Sequence, residues 1–144
     1  MSKQIHYSEV PGDYLMCLNR ECTKADTCLR QLVERTTTAK VHYMRFMNPK
    51  YLAELKGDCP YYKSSAPVRY AKGFMKLLGN IPLKETETIK RALIALFHRV
   101  TYYRVRNGER LLSPEEQAMV LKVTGSRGLP PGEEFDSYIE DYDW

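Results

Sequence analysis

Apolar residues recur at helical spacing over much of this chain, and polar turn residues divide the pattern into short segments. "TKADTCLRQLVERTT" predicts a helix from Thr23, with Asp26 three residues on as a weak capping partner. Leu29, Leu32 and Val33 form its apolar stripe, and Thr36 to Thr38 bring it to a close. "KVHYMRFM" is rich in β-branched and aromatic residues and predicts a short strand. In "NPKYLAEL", Asn48 stands at an N-cap, Pro49 takes the first helical position and Gly57 terminates the helix. "CPYYKSSAP" reads as a loop.

From Val68 the pattern predicts a short extended piece and then a helix through Phe74, Leu77 and Leu78, stopped by Gly79. "PLKETETIKRALIALFHRV" is the clearest helix, with Ile89, Leu93, Leu96 and Phe97 on one face. Its acids lie early and Lys90, Arg91 and Arg99 late, matching the helix dipole. "SPEEQAMVLKVTG" carries a capping box of Ser113 and Glu116, with Pro114 first in the helix, Val120, Leu121 and Val123 inward and Gly125 at the close. After "LPPG", "FDSYIEDYDW" places Phe135, Tyr138, Ile139 and Tyr142 at helical spacing. The expected fold is mainly α with a short β element: a single compact helical domain spanning 1–144. Within it, residues 1–63 form a cysteine-bearing region and residues 64–144 a helical one.

Composition keeps this picture and narrows the setting. The 144 residues are 43% hydrophobic and 28% charged, the range of one globular domain. No apolar run is long enough to span a bilayer, and "MSKQIHYSEVPGDYLM" lacks the apolar core of a signal peptide. A cytoplasmic location with reduced thiols is therefore expected. The net charge of +4 is unevenly spread. Seven Lys and Arg residues lie between Lys84 and Arg110, whereas from Gly128 to Trp144 there are six acids and no base.

All four cysteines fall in the first 60 positions: Cys17, Cys22, Cys28 and Cys59. Four residues separate the first pair, five the next and thirty the last. Zinc takes four thiolates tetrahedrally, usually in pairs spaced by about two to four residues, so these intervals are loose. The number fits one closed shell, and "NREC" and "GDCPYY" resemble turns that present a sulfur. A metal clip is expected, with structural zinc preferred over an iron–sulfur cluster, although Cys59-Pro60 echoes the end of a ferredoxin motif. Two other readings stay open. Cys28 can be a small core residue, and two disulfides in any of three pairings would need an oxidising compartment. A reactive Cys22, flanked by Arg20 and Lys24, is set against ligation by its three companions. His6, His42 and His98 are scattered and carry no site.

"IKRALIALFHRVTYYRVRNGERLLSPEEQAMVLKV" is the other informative stretch. Residues 101–112 read either as a short helix capped by Asn107-Gly108 or as a β-hairpin with Asn-Gly at its turn. On the helical reading, residues 86–124 resemble the repressor-type helix-turn-helix family through "RVRNGER" and the capped helix that follows. The turn "FHRVT" has no glycine and departs from that pattern. The resemblance implies DNA as a partner, with Arg99, Tyr102, Tyr103, Arg104, Arg106 and Arg110 as nucleic-acid contacts.

Over nearly its full length, from the CxxxxCxxxxxC set and "CPYY" through "LSPEEQ" to the final aromatics, the chain resembles a small bacterial family of uncharacterised proteins. That resemblance implies one cooperative unit and no known activity. Phosphate-loop, GxGxxG, HExxH and GxSxG motifs are missing, and Glu115-Glu116 and Glu133-Glu134 have plain structural explanations. The expected function is that of a non-enzymatic, zinc-binding protein with a nucleic-acid-binding or transcription-regulatory role. The alternative is a protein-interaction scaffold that uses its acidic, aromatic C-terminal segment; neither reading involves a membrane or identifies a small-molecule substrate.

Overall fold

In the computed structural model, which describes residues 4–144, the chain divides into two compact units. The first runs to Pro67 and also takes in Tyr142–Trp144; the second is Val68–Asp141. The expected cysteine-bearing region, 1–63, thus lies inside the first unit.

The first unit contains strand β1 (Leu15–Met16), helix α1 (Leu29–Arg35), strand β2 (Arg45–Phe46) and helix α2 (Pro49–Glu54). β1 and β2 pair in parallel, with Leu15 opposite Arg45. α1 packs on β1, and Tyr14, Met16, Leu29, Val33 and Tyr142 form a small core. Trp144 meets the rings of Tyr14 and Tyr142 edge-on, at 5.6 and 5.5 Å. As expected, Asn48 caps α2 by accepting from the Lys50 N–H at 3.1 Å.

α1 is capped at Cys28 and begins at Leu29, five residues later than a cap at Thr23 predicts. The cause is tertiary. The Leu29 N–H, which a longer helix would bond internally, donates to the Lys63 carbonyl at 2.7 Å, and Ser65 N–H donates to Thr27 at 3.0 Å. The incoming 63–65 segment therefore holds residues 23–27 as turns and leaves Cys28 extended, at the N-cap.

The second unit contains β3 (Val68–Lys72), α3 (Met75–Gly79), α4 (Leu83–Phe97), α5 (Arg99–Asn107), α6 (Pro114–Thr124) and β4 (Ser137–Asp141). β3 and β4 are antiparallel, with Tyr70 opposite Ile139. Ala71 and Leu112 exchange backbone hydrogen bonds at 3.0 and 2.9 Å. Phe74, Leu77, Leu93, Tyr102, Val105, Leu112 and Val120 fill the core, joined by Ile89, Phe97 and Phe135. Of the predicted α4 face, Leu96 is instead exposed. The Ser113–Glu116 capping box forms in full, which contributes about 1 kcal/mol to starting α6.

Two local features hold the start of α3. Gly73 sits at φ +79°, and Asp136 uses both carboxylate oxygens to accept from Met75 N–H (2.9 Å) and Lys76 N–H (2.8 Å). A side chain from far along the sequence thus performs the capping that Phe74, the residue before the helix, cannot.

The structure settles the choice at residues 101–112 and corrects the reading of the tail. Residues 99–107 are helical and end at Gly108 in the left-handed region, φ +81°, so the hairpin is absent. "FDSYIEDYDW" is not a helix: its centre is β4, whose backbone is satisfied by β3. Phe135 and Tyr142 flank that strand as buried residues. Architecture is therefore mainly helical with four short strands among the described residues, and none of the described helices is long and apolar enough to cross a membrane.

Candidate metal centre

All four cysteines line one groove of the first unit, about 1130 Å³ in volume. Cys17 follows β1, Cys22 lies in the turns before α1, Cys28 is the α1 N-cap, and Cys59 starts the turn closed by Tyr62 N–H to Cys59 O (3.2 Å). Cys17 and Cys28 are buried, and Cys22 and Cys59 half-buried. The sulfurs are free thiols.

The loops that carry them are stitched to α1 and to one another. Arg30 reaches both ways from α1, donating from Nε to the Tyr61 carbonyl and from Nη1 to the Leu15 carbonyl, each at 2.8 Å. Lys24, near Cys22, pairs with Asp58, beside Cys59, at 3.0 Å, and its ammonium lies 5.0 Å from the Tyr62 ring centre. Tyr62 Oη in turn donates to Thr27 Oγ1 at 3.1 Å. Gln31, fully buried, donates from Nε2 to the Asn19 carbonyl at 2.6 Å and to Cys17 Sγ at 3.9 Å. Its Oε1 accepts from Arg20 at 3.2 Å. Arg20 also pairs with Glu34.

Cys17 carries the most informative electrostatics. Burial pushes its thiol pKa up, the Asn19 N–H opposes that, and Cys28, Cys59 and Cys22 each push it up further. Cys17 thus feels each of the other three thiols. Two N–H groups, from Asn19 (3.5 Å) and Gln31, point at the Cys17 sulfur. Donors of that kind orient a ligating atom and offset the charge of a thiolate. As placed, no three Cys, His, Asp or Glu side chains among the described residues are close enough together to hold one ion. The donor set suits zinc in type and number.

Sequence reasoning named the four ligand candidates but not the residues that support them. Gln31 belongs to the polar side of α1, where solvent exposure is the ordinary expectation. Arg30 and Lys24 act through partners distant in sequence.

In the second unit, the residues singled out for nucleic acid separate. Tyr102 is buried in the core. Arg110 pairs with Glu116 at 2.8 Å, the same glutamate that closes the α6 capping box. Arg104 is exposed on α5, whereas Arg99, Tyr103 and Arg106 recur at helical spacing along another side of that helix.

A small, mainly helical protein with a thiol-lined groove is the class that these features define. The chain belongs to a family of unknown function (DUF6078), whose model matches residues 1–144. No curated protein and no solved structure matches it.

Proposed function

We propose that this protein is a zinc-binding protein in which Cys17, Cys22, Cys28 and Cys59 hold one ion with a structural role. The observation that carries the reading is the gathering of all four thiols on one groove, on loops cross-tied by Arg30, Gln31 and the Lys24–Asp58 pair. Four thiolates complete a tetrahedral shell and leave no open position for a substrate, so the ion fastens loops instead of activating water. Binding free energy is then folding free energy for this unit.

Metal analysis of purified protein, with thiol alkylation followed by mass spectrometry, tests the proposal. One zinc per chain is expected, with all four cysteines protected until a chelator is added and Cys59→Ser losing the ion. Protein without metal whose thiols alkylate freely in added zinc overturns it. One cluster equivalent of iron with visible absorbance would replace zinc by an iron–sulfur centre.

A further inference from the structure

The second unit holds a group of cations without acidic partners. The Arg106 guanidinium lies 4.8 Å from the centre of the Tyr103 ring, and the Lys90 ammonium of α4 lies 5.7 Å from it. Tyr102 packs edge-on against Tyr103, with ring centres 5.0 Å apart, which fixes Tyr103 against the core. Arg99 stands one helical turn before Tyr103 on α5.

Among the described residues no carboxylate pairs with Lys90, Arg99 or Arg106, although neighbouring cations are paired: Arg91 with Glu87 at 3.3 Å, Arg110 with Glu116 and Arg127 with Glu85 at 2.6 Å. Arg106 Nε is occupied by its neighbour Asn107 at 3.0 Å. Cations grouped without counter-charge repel one another, and an anion that joins them relieves that repulsion. The same cations act on the Tyr103 phenol. Its ionisation is eased below the ordinary phenol value, first by its hydrogen bond with Lys90, then by the charges of Lys90, Arg99 and Arg106.

We propose that Lys90, Arg99, Tyr103 and Arg106 form a binding site for a phosphate group. Lys90 supplies a point charge, the two arginines supply planar donor forks and the Tyr103 hydroxyl adds a donor. Phosphate fits better than a carboxylate because its tetrahedral group presents anionic oxygens in more than one plane, as a monoester or a diester, to three cations on two helices. The group can belong to a small metabolite or to a nucleic-acid backbone; the chemistry at the site is the same. Nothing in this assignment depends on the thiols.

Amide NMR titration of the full chain with inorganic phosphate, a nucleoside monophosphate and a single-stranded oligonucleotide tests it. Saturable shifts centred on residues 90, 99, 103 and 106 are expected. The Lys90→Gln/Arg99→Gln double variant should weaken binding by about tenfold, the loss of one charge-assisted hydrogen bond or more. Arg91→Gln serves as the control, because its charge is engaged by Glu87, and should change affinity less than about twofold. Preference for the oligonucleotide with steep salt dependence assigns the phosphate to a nucleic-acid backbone. Comparable or tighter binding of the mononucleotide assigns it to a small molecule. No saturable shift with any of the three probes, or equal shifts in the double variant with an unchanged fold by circular dichroism, overturns the site.

Discussion

The Gln31 side-chain amide points at Cys17, with Nε2 3.9 Å from the sulfur. It stands on α1, whereas Cys17 follows β1, so a buried polar side chain reaches a thiol on another element. Replacing it with leucine removes that donor and the bond to Asn19 while roughly keeping the volume. If the thiols hold zinc, Gln31→Leu should weaken the metal by about 10–100-fold, the usual cost of losing an outer-shell partner. Competition against a zinc-binding chromophore measures this. Unchanged affinity in a folded variant would make Gln31 a purely structural tie.

Tyr14 offers a test of the first unit that is independent of metal. Its hydroxyl is buried without a hydrogen-bond partner among the described residues, while its ring packs against Trp144 and lies 5.3 Å from the Arg30 guanidinium. An unpaired buried hydroxyl costs about 1–3 kcal/mol of lost hydration, so Tyr14→Phe should stabilise the protein by about 1 kcal/mol at neutral pH. Burial first, with Cys28 and Asp143 adding and Arg30 opposing, holds the folded phenol above its unfolded value of 10.0. A raised folded value means that the native state favours the neutral form. That contribution is complete below about pH 10 and is lost as pH rises through the folded value. The advantage of the phenylalanine variant should therefore widen above pH 10, as denaturant midpoints measured across that range would show.

How much of this was legible in the sequence depended on how far each determinant reached. The starts of α2 and α6 were readable from Asn48-Pro49 and Ser113-Pro114 because capping is settled within a turn. The start of α1 was not, because its decisive bond joins Leu29 to Lys63. Tyr138 and Ile139 have helical spacing with Phe135 and Tyr142, but β3 supplies the backbone partners that make the segment a strand. At the cysteine groove the four thiols were visible as a set. Gln31, Arg30 and Lys24 were not, because a polar residue on a short helix gives no sign that it will be buried or which loop it will hold.

His98 marks a break that the sequence concealed by lacking glycine. It connects α4 to α5 at φ 64° and ψ 159°, a region almost confined to glycine, and accepts from Tyr102 N–H at 2.8 Å while donating to Ile94 O at 2.8 Å. A side chain there costs about 1–3 kcal/mol, whereas glycine adds about 0.5–1 kcal/mol of unfolded-chain entropy. His98→Gly should therefore raise stability by about 1 kcal/mol. His98→Ala keeps the Cβ and should bring no such gain. Thermal unfolding of the pair separates backbone strain from any contribution of the imidazole.

Gly73 gives the converse case, because its backbone and its surroundings both exclude a side chain. At φ +79° a Cβ would lie 2.6 Å from Asp136 Oδ2 and 3.3 Å from the Arg106 carbonyl. The carboxylate cannot retreat without releasing the N–H groups of Met75 and Lys76 that it caps. Gly73→Ala should cost about 2–3 kcal/mol, made of left-handed strain and a damaged cap. Asp136→Ala alone should cost about 1 kcal/mol from the cap. Because the clash and the cap share that carboxylate, the two losses should not add, and Gly73→Ala should cost less in the Asp136→Ala background. A double-mutant cycle by urea unfolding measures the coupling. Simple additivity would mean that the glycine answers to backbone conformation alone, with the Asp136 carboxylate adding nothing to the cost of a side chain there.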